Sequence, residues 1–184
     1  MHNTLRIMVL NGPNLQLLGR IDQDETVTLD SIEATLNIRR KELEKEHDAV
    51  IIFRFLQSNH EGELISWVGD SIGHFNGIII NPSTYAYTSV ALANAVQAVS
   101  DVIPIYEVHL SKSSSKDEFR QKSLISEVCS AHFEGQKDND YDKHVYAYAL
   151  DHMVEEVLKR QAVEGAQQAV RAGNAIPMFN AKAG

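Results

Sequence analysis

The residues best placed to do chemistry lie at the end of Ile103–Ser111, IPIYEVHLS, where Glu107, His109 and Ser111 alternate in a run that is otherwise apolar. A serine-rich loop, Ser113 to Ser115, follows. This is the pattern of a buried parallel strand that delivers side chains to a site at its C-terminal edge. Strand side chains repeat every second residue, so Glu107, His109 and Ser111 share one face. A carboxylate beside an imidazole fixes the ring's tautomer and suits it to give or take a proton near neutral pH. Taken alone, the stretch fits a buried structural pair equally well. As metal ligands Glu107 and His109 fall short, because a zinc site usually draws three donors from protein.

The elements that must position this pair alternate in type along the chain. Leu5 to Leu10 reads as a buried first strand, stopped by the turn residues Asn11-Gly12-Pro13-Asn14. Ile21 to Val27 carries three acids without an apolar pattern and is expected to be a surface loop. Thr28 or Asp30 can cap the next helix, with Glu33 three residues beyond Asp30, and Leu29, Ile32, Leu36 and Leu43 fall on one face of it. Ala49 to Leu56 is a second strand, and Ser58 and Glu61 have the spacing of a capping box for a helix burying Leu64, Ile65, Trp67, Val68 and Ile72. His60 then reads as a first-turn residue. Gly77 to Ile80 is a short central strand, Asn81 to Thr88 the loop after it, and Thr88 the expected cap of a helix reaching Val99. Pro104 opens the fourth strand, where its missing N–H does least harm. A helix is expected from about Asp117 to Lys122, an edge strand within Val128 to Phe133, and a long helix from Lys143 to about Arg171. Alternation of this kind implies one α/β domain over residues 1–172, a parallel sheet covered on both faces, and a frayed tail at 173–184. Such sheets bind ligands at the C-terminal ends of their strands, and the four polar clusters Asn11 to Arg20, Gln57 to Glu61, Asn81 to Thr88 and Glu107 to Ser111 all belong there.

Composition narrows the partners. A net charge of −8 over 184 residues, with no basic stripe, argues against nucleic acid. Cys129 is the single cysteine, so one chain can form neither an internal disulfide nor a cysteine metal cluster, and a cytoplasmic setting is expected. No apolar run approaches the ~20 residues of a membrane helix, and Leu5 to Leu10 is too short for a signal segment.

Four stretches in order, LNGPNLQLLGR at 10–20, QSNHEGELI at 57–65, NPSTYAYTSVAL at 81–92 and EVHLS at 107–111 with Glu118-Phe119-Arg120, resemble the type II 3-dehydroquinate dehydratases. The resemblance implies a flavodoxin-like three-layer subunit with a five-stranded parallel sheet and an extended C-terminal helix. It implies trimers assembled into a dodecamer, no metal and no organic cofactor. Its reaction is a trans elimination of water from 3-dehydroquinate to 3-dehydroshikimate through an enolate. Carried onto this chain, it gives Asn14 the water that stabilises the enolate oxygen and makes His109 the general acid, oriented by Glu107. Asn81, Ser111 and the backbone around Leu110 and Ser111 would hold the substrate carboxylate, and Arg120 a ring hydroxyl.

The chain also departs from that pattern. The family's proton-abstracting tyrosine is missing from the loop after the first strand, which reads Gly19-Arg20-Ile21-Asp22-Gln23-Asp24-Glu25-Thr26. Arg20 lies one place before the expected activating arginine, and Lys116 replaces the second. Tyr87, Asn94 and Lys112 stand where the family places a histidine, an acid reaching a neighbouring subunit, and an asparagine. Three readings follow: a dehydratase whose base is Asp22, Asp24, Glu25 or Tyr87, a lyase for another cyclic hydroxy-keto acid, or a ligand-binding protein without catalysis.

Overall fold

The computed structural model describes residues 3–20, 27–110, 122–135 and 145–171. Five parallel strands form a single sheet in the order β2-β1-β3-β4-β5, with β1 at Asn3–Asn11, β2 at Ala49–Gln57, β3 at Gly77–Asn81, β4 at Ile105–His109 and β5 at Ala131–Glu134. The flavodoxin-like expectation therefore holds in strand number, direction and layering. Helices α1 (Leu29–His47) and α5 (Val145–Arg171) cover one face, and α2 (Glu61–Gly69) and α4 (Val90–Ser100) the other. A single turn, α3 (Tyr85–Thr88), lies between β3 and α4.

Strand alternation sorts the core. Leu5, Ile7, Val9, Ile51, Ile79, Tyr106 and Val108 pack under Ile32, Leu36 and Leu43 of α1 and the buried stripe of α5 that runs from Val145 to Val157. Met8, Leu10, Ile78, Ile80 and Ile105 meet Leu64, Val68, Leu92 and Val96 from the opposite helices. Each fully buried aliphatic side chain contributes roughly 1.5–3 kcal/mol, enough that a one-residue slip in any strand would be costly. Glu107 and His109 belong to the second face, following Ile105 at strand spacing.

Local details differ from the sequence reading where a neighbouring side chain competes. Thr28 caps α1, but its reciprocal partner is Ser31 and not an Asp30–Glu33 pair: Ser31 N–H donates to Thr28 Oγ1 over 3.0 Å and Thr28 N–H to Ser31 Oγ over 2.9 Å. Ser58 and Glu61 form no capping box. His60 is the N-cap of α2, and the Ser58 hydroxyl accepts its N–H while donating to Glu63. Ser89 caps α4 in place of Thr88, which is taken up by the α3 turn. Ile72 lies beyond the end of α2 and is 46% exposed, so it is not part of that helix's buried side. Val27 is buried in the α1 core although the segment before it reads as polar. The tail at 173–184 and most of the expected 117–122 helix lie outside the described residues.

Candidate functional site

The sheet's register brings the strand ends to one edge. Asn11 pairs with both Gln57 and Asn81, Ile80 with Glu107, Glu107 with His132, and His109 with Glu134. The loops that follow are stitched together. Gly12 N–H donates to Asn81 O over 2.7 Å, Ser58 N–H to Asn11 O over 3.0 Å, and Asn14 N–H to Asn59 Oδ1 over 2.9 Å. Gln57 reaches Gly12 O and Gln16, while the Tyr85 hydroxyl donates to Asn59 O. A glycine is required at position 12, because a Cβ there would sit 2.5 Å from Pro82 O. Asn14 takes a left-handed φ of 66°, which asparagine tolerates better than most residues. From the core side, the buried Tyr146 hydroxyl donates to Asn11 Oδ1 over 2.6 Å. Burial pushes that phenol well above its ordinary pKa, so it stays protonated as a donor.

Glu107 and His109 face each other as expected, His109 Nε2 lying 2.8 Å from Glu107 Oε1. Glu107 is fully buried and His109 is partly exposed, so the imidazole stands at the rim and the carboxylate behind it. Burial by itself would keep Glu107 protonated, but hydrogen bonds from His109, His132 and Ser126 outweigh it and bring the carboxyl down to about 2. Ser123 Oγ donates to Oε1 over 2.8 Å and Ser126 Oγ to Oε2, completing the ring of donors. Tyr87 stacks beside His109, with ring centroids 6.1 Å apart at 29°.

The other expected site residues are placed unequally. Asn81 is buried at the end of β3, its side-chain oxygen accepting Ser83 N–H over 3.1 Å. Asn14 and Arg20 are exposed on the loop after β1, and Leu110 is half-buried directly after His109. Asn94 lies on the exposed side of α4, away from the stripe of Leu92, Ala93, Val96 and Val99. Ser111, Arg120, Lys112, Lys116 and the acids Asp22, Asp24 and Glu25 lie outside the described residues.

The sequence reading missed His132, Glu134, Ser123 and Ser126. In β4 the order is Glu-Val-His, and in the adjacent parallel β5 it is His-Phe-Glu, aligned so that each acid sits beside an imidazole. His132 Nδ1 is 3.1 Å from Glu107 Oε2, and its Nε2 is 3.2 Å from Glu134 Oε1. Hydrogen bonding to Glu107 is the main reason the pKa of His132 is raised. The mirrored spacing of His132 and Glu134 was the available signal, and it needs the β4–β5 register to be recognised.

The chain matches known proteins over most of its length. The family model described as Dehydroquinase class II matches residues 5–154. A 3-dehydroquinate dehydratase of Gloeobacter violaceus is 40% identical over 149 residues, covering 80% of this chain and 88% of that one. One from Campylobacter jejuni is 33% identical over 166 residues, covering 89% and 98%. Among solved structures, a type II dehydroquinase from Butyrivibrio crossotus superposes with a TM-score of 0.67 at 31% identity, over 81% of this chain and 97% of that chain. Matched across most of its length by sequence and by fold, this chain belongs to the class II dehydroquinases.

Proposed function

We propose that the chain eliminates water from 3-dehydroquinate to give 3-dehydroshikimate, with His109 as the general acid. The observation that carries this reading is the partly exposed imidazole held 2.8 Å from a fully buried, ionised carboxylate at the edge where the loops after β1, β2 and β3 are bonded together. Loss of a hydroxyl β to a ketone requires a base at the α-carbon, a donor at the enolate oxygen and an acid at the departing oxygen. His109 protonates that oxygen, and Glu107 holds the ring as it gives up its proton. A water held by Asn14 stabilises the enolate. Asn81, Ser111 and the backbone N–H groups around Leu110 and Ser111 hold the substrate carboxylate, Arg120 and Tyr87 hold its hydroxyls, and Arg20 supports the base.

In a trans elimination the base works on the face of the ring opposite the acid. Tyr87 stacks on His109 and so stands beside the acid. This favours Asp22, Asp24 or Glu25, which follow β1 in the sequence, as the proton acceptor. The full assembly is a dodecamer of trimers, in which Asn94 on the exposed side of α4 reaches a neighbouring subunit. The setting is the cytoplasm, where a lone thiol such as Cys129 stays reduced.

The test is to mix the purified protein with 3-dehydroquinate and follow the ultraviolet absorbance of the conjugated enone, with a thermal-shift assay for binding alongside. Turnover is expected. Binding without turnover would leave a ligand-binding protein, and neither response would point to a different hydroxy-keto acid. Among alanine variants of Asp22, Asp24 and Glu25, the one that replaces the base is expected to lower kcat by about 100-fold to 10,000-fold.

A further inference from the structure

His132 meets a carboxylate oxygen at each ring nitrogen, Glu107 Oε2 at 3.1 Å and Glu134 Oε1 at 3.2 Å. A neutral imidazole has one N–H and can satisfy only one of them. The Ser126 hydroxyl also lies 2.9 Å from Nδ1, so that nitrogen faces a hydroxyl and a carboxylate together, an oxygen-rich setting that also suits a cation. Glu107, His109 and His132 offer donor atoms that all lie within 4.8 Å of one another. We propose that these three residues form a binding site for a divalent transition metal such as Zn²⁺ or Fe²⁺, and that metal there holds the enzyme inactive by occupying His109.

Two imidazoles and one carboxylate are the donor set that such ions take up, at about 2.0–2.2 Å from each ligand for zinc. Tetrahedral coordination at those lengths sets ligand atoms about 3.4 Å apart, so a pair at the 4.8 Å limit must draw in by about 1.4 Å. The supports for the site are already in place. Glu134 takes the outer nitrogen of His132, which turns Nδ1 toward Glu107 and the Ser126 hydroxyl, and carboxylate support of this kind is how metal-bound histidines are oriented. Ser123 and Ser126 fix the Glu107 carboxylate. With both imidazoles neutral, Glu107 and Glu134 carry two negative charges that a dication neutralises. His109 would meet the metal through Nε2, the nitrogen that now faces Glu107, and the ring could then give up its remaining proton only by becoming an imidazolate, which makes it a far weaker acid toward the departing hydroxyl.

That inhibition rests on His109 being the acid, whereas metal binding does not, so the experiment reads the two separately. The full-length protein is treated with chelator and titrated with Co²⁺, following its visible absorption, and with Zn²⁺ by calorimetry. The expected result is one metal per chain, with affinity lowered at least about 100-fold by His132→Gln and about 10-fold by Glu134→Gln. Should His132→Gln fail to fold, Glu134→Gln, with its side chain nearer solvent, decides the matter. Zn²⁺ is expected to inhibit turnover of 3-dehydroquinate, and the inhibiting concentration is expected to rise in Glu134→Gln by the same factor as its dissociation constant. Absence of stoichiometric binding overturns the site. Binding that is indifferent to both substitutions overturns it equally. Binding that does depend on them, without inhibition, keeps a metal on His132 and overturns the inhibition through His109.

Discussion

Glu107 is the residue on which the site's electrostatics turn. It is buried, yet four side chains, those of His109, His132, Ser123 and Ser126, converge on its two oxygens and stabilise the anion. Its carboxyl is held at about 2 against an ordinary value of 4.5. A depressed carboxylate pKa contributes stability that is fully present above the unfolded value and is lost as pH falls through the folded one. The window for Glu107 is therefore about pH 4.5 down to about 2, and the size of the effect is roughly 3 kcal/mol at 1.36 kcal/mol per unit. Urea denaturation of the parent protein and of Glu107→Gln across that range should show the parent losing stability faster as acid is added, so that the gap between them closes. Parallel pH dependences would mean that the carboxylate is not specially stabilised.

At the scale of elements, the site depends on loops that are locked to each other before substrate arrives. Gly12 lets the turn after β1 press against Pro82, where an added Cβ would meet backbone atoms at 2.5 and 2.7 Å. Gly12→Ala must move one loop, and we expect KM for 3-dehydroquinate to rise with only a modest change in melting temperature. Tyr146→Phe acts from beneath: it leaves the buried Asn11 oxygen without the phenol donor, at a cost of about 1–3 kcal/mol. Thermal unfolding should register that loss, and an unchanged melting temperature would show that another donor replaces the phenol.

These elements also show how far sequence reading reaches. Strand cores such as Leu5 to Leu10 and helix stripes such as Ile32, Leu36 and Leu43 declare themselves because their periodicity is set by burial on one side. Glu107 and His109 were legible together because they share a strand. His132 was not, because its partner lies on a different strand and only register joins them. Caps failed for a related reason. Ser58 matched the spacing for Glu61, but Glu63 was the better acceptor once the helix had formed, and Ser89 stood one residue closer to its helix than Thr88 did. Spacing proposes partners, and three-dimensional competition selects among them.

Taken whole, the molecule is an acidic protein with a net charge of −8 acting on an anion, so its long-range field does not attract substrate. Recognition of the substrate carboxylate must come from local donors at the strand ends, the place where a parallel α/β sheet exposes its loops. The matched family carries the reaction, dehydration of 3-dehydroquinate, and departures such as the missing loop tyrosine bear on the base and not on His109 as the proposed acid. The most direct measurement is steady-state turnover of 3-dehydroquinate by His109→Ala beside the parent protein, with circular dichroism confirming equal folding. Removal of the acid should lower kcat by about 100-fold or more while the fold persists, and a variant that turns over at the parent rate would contradict the assignment of His109.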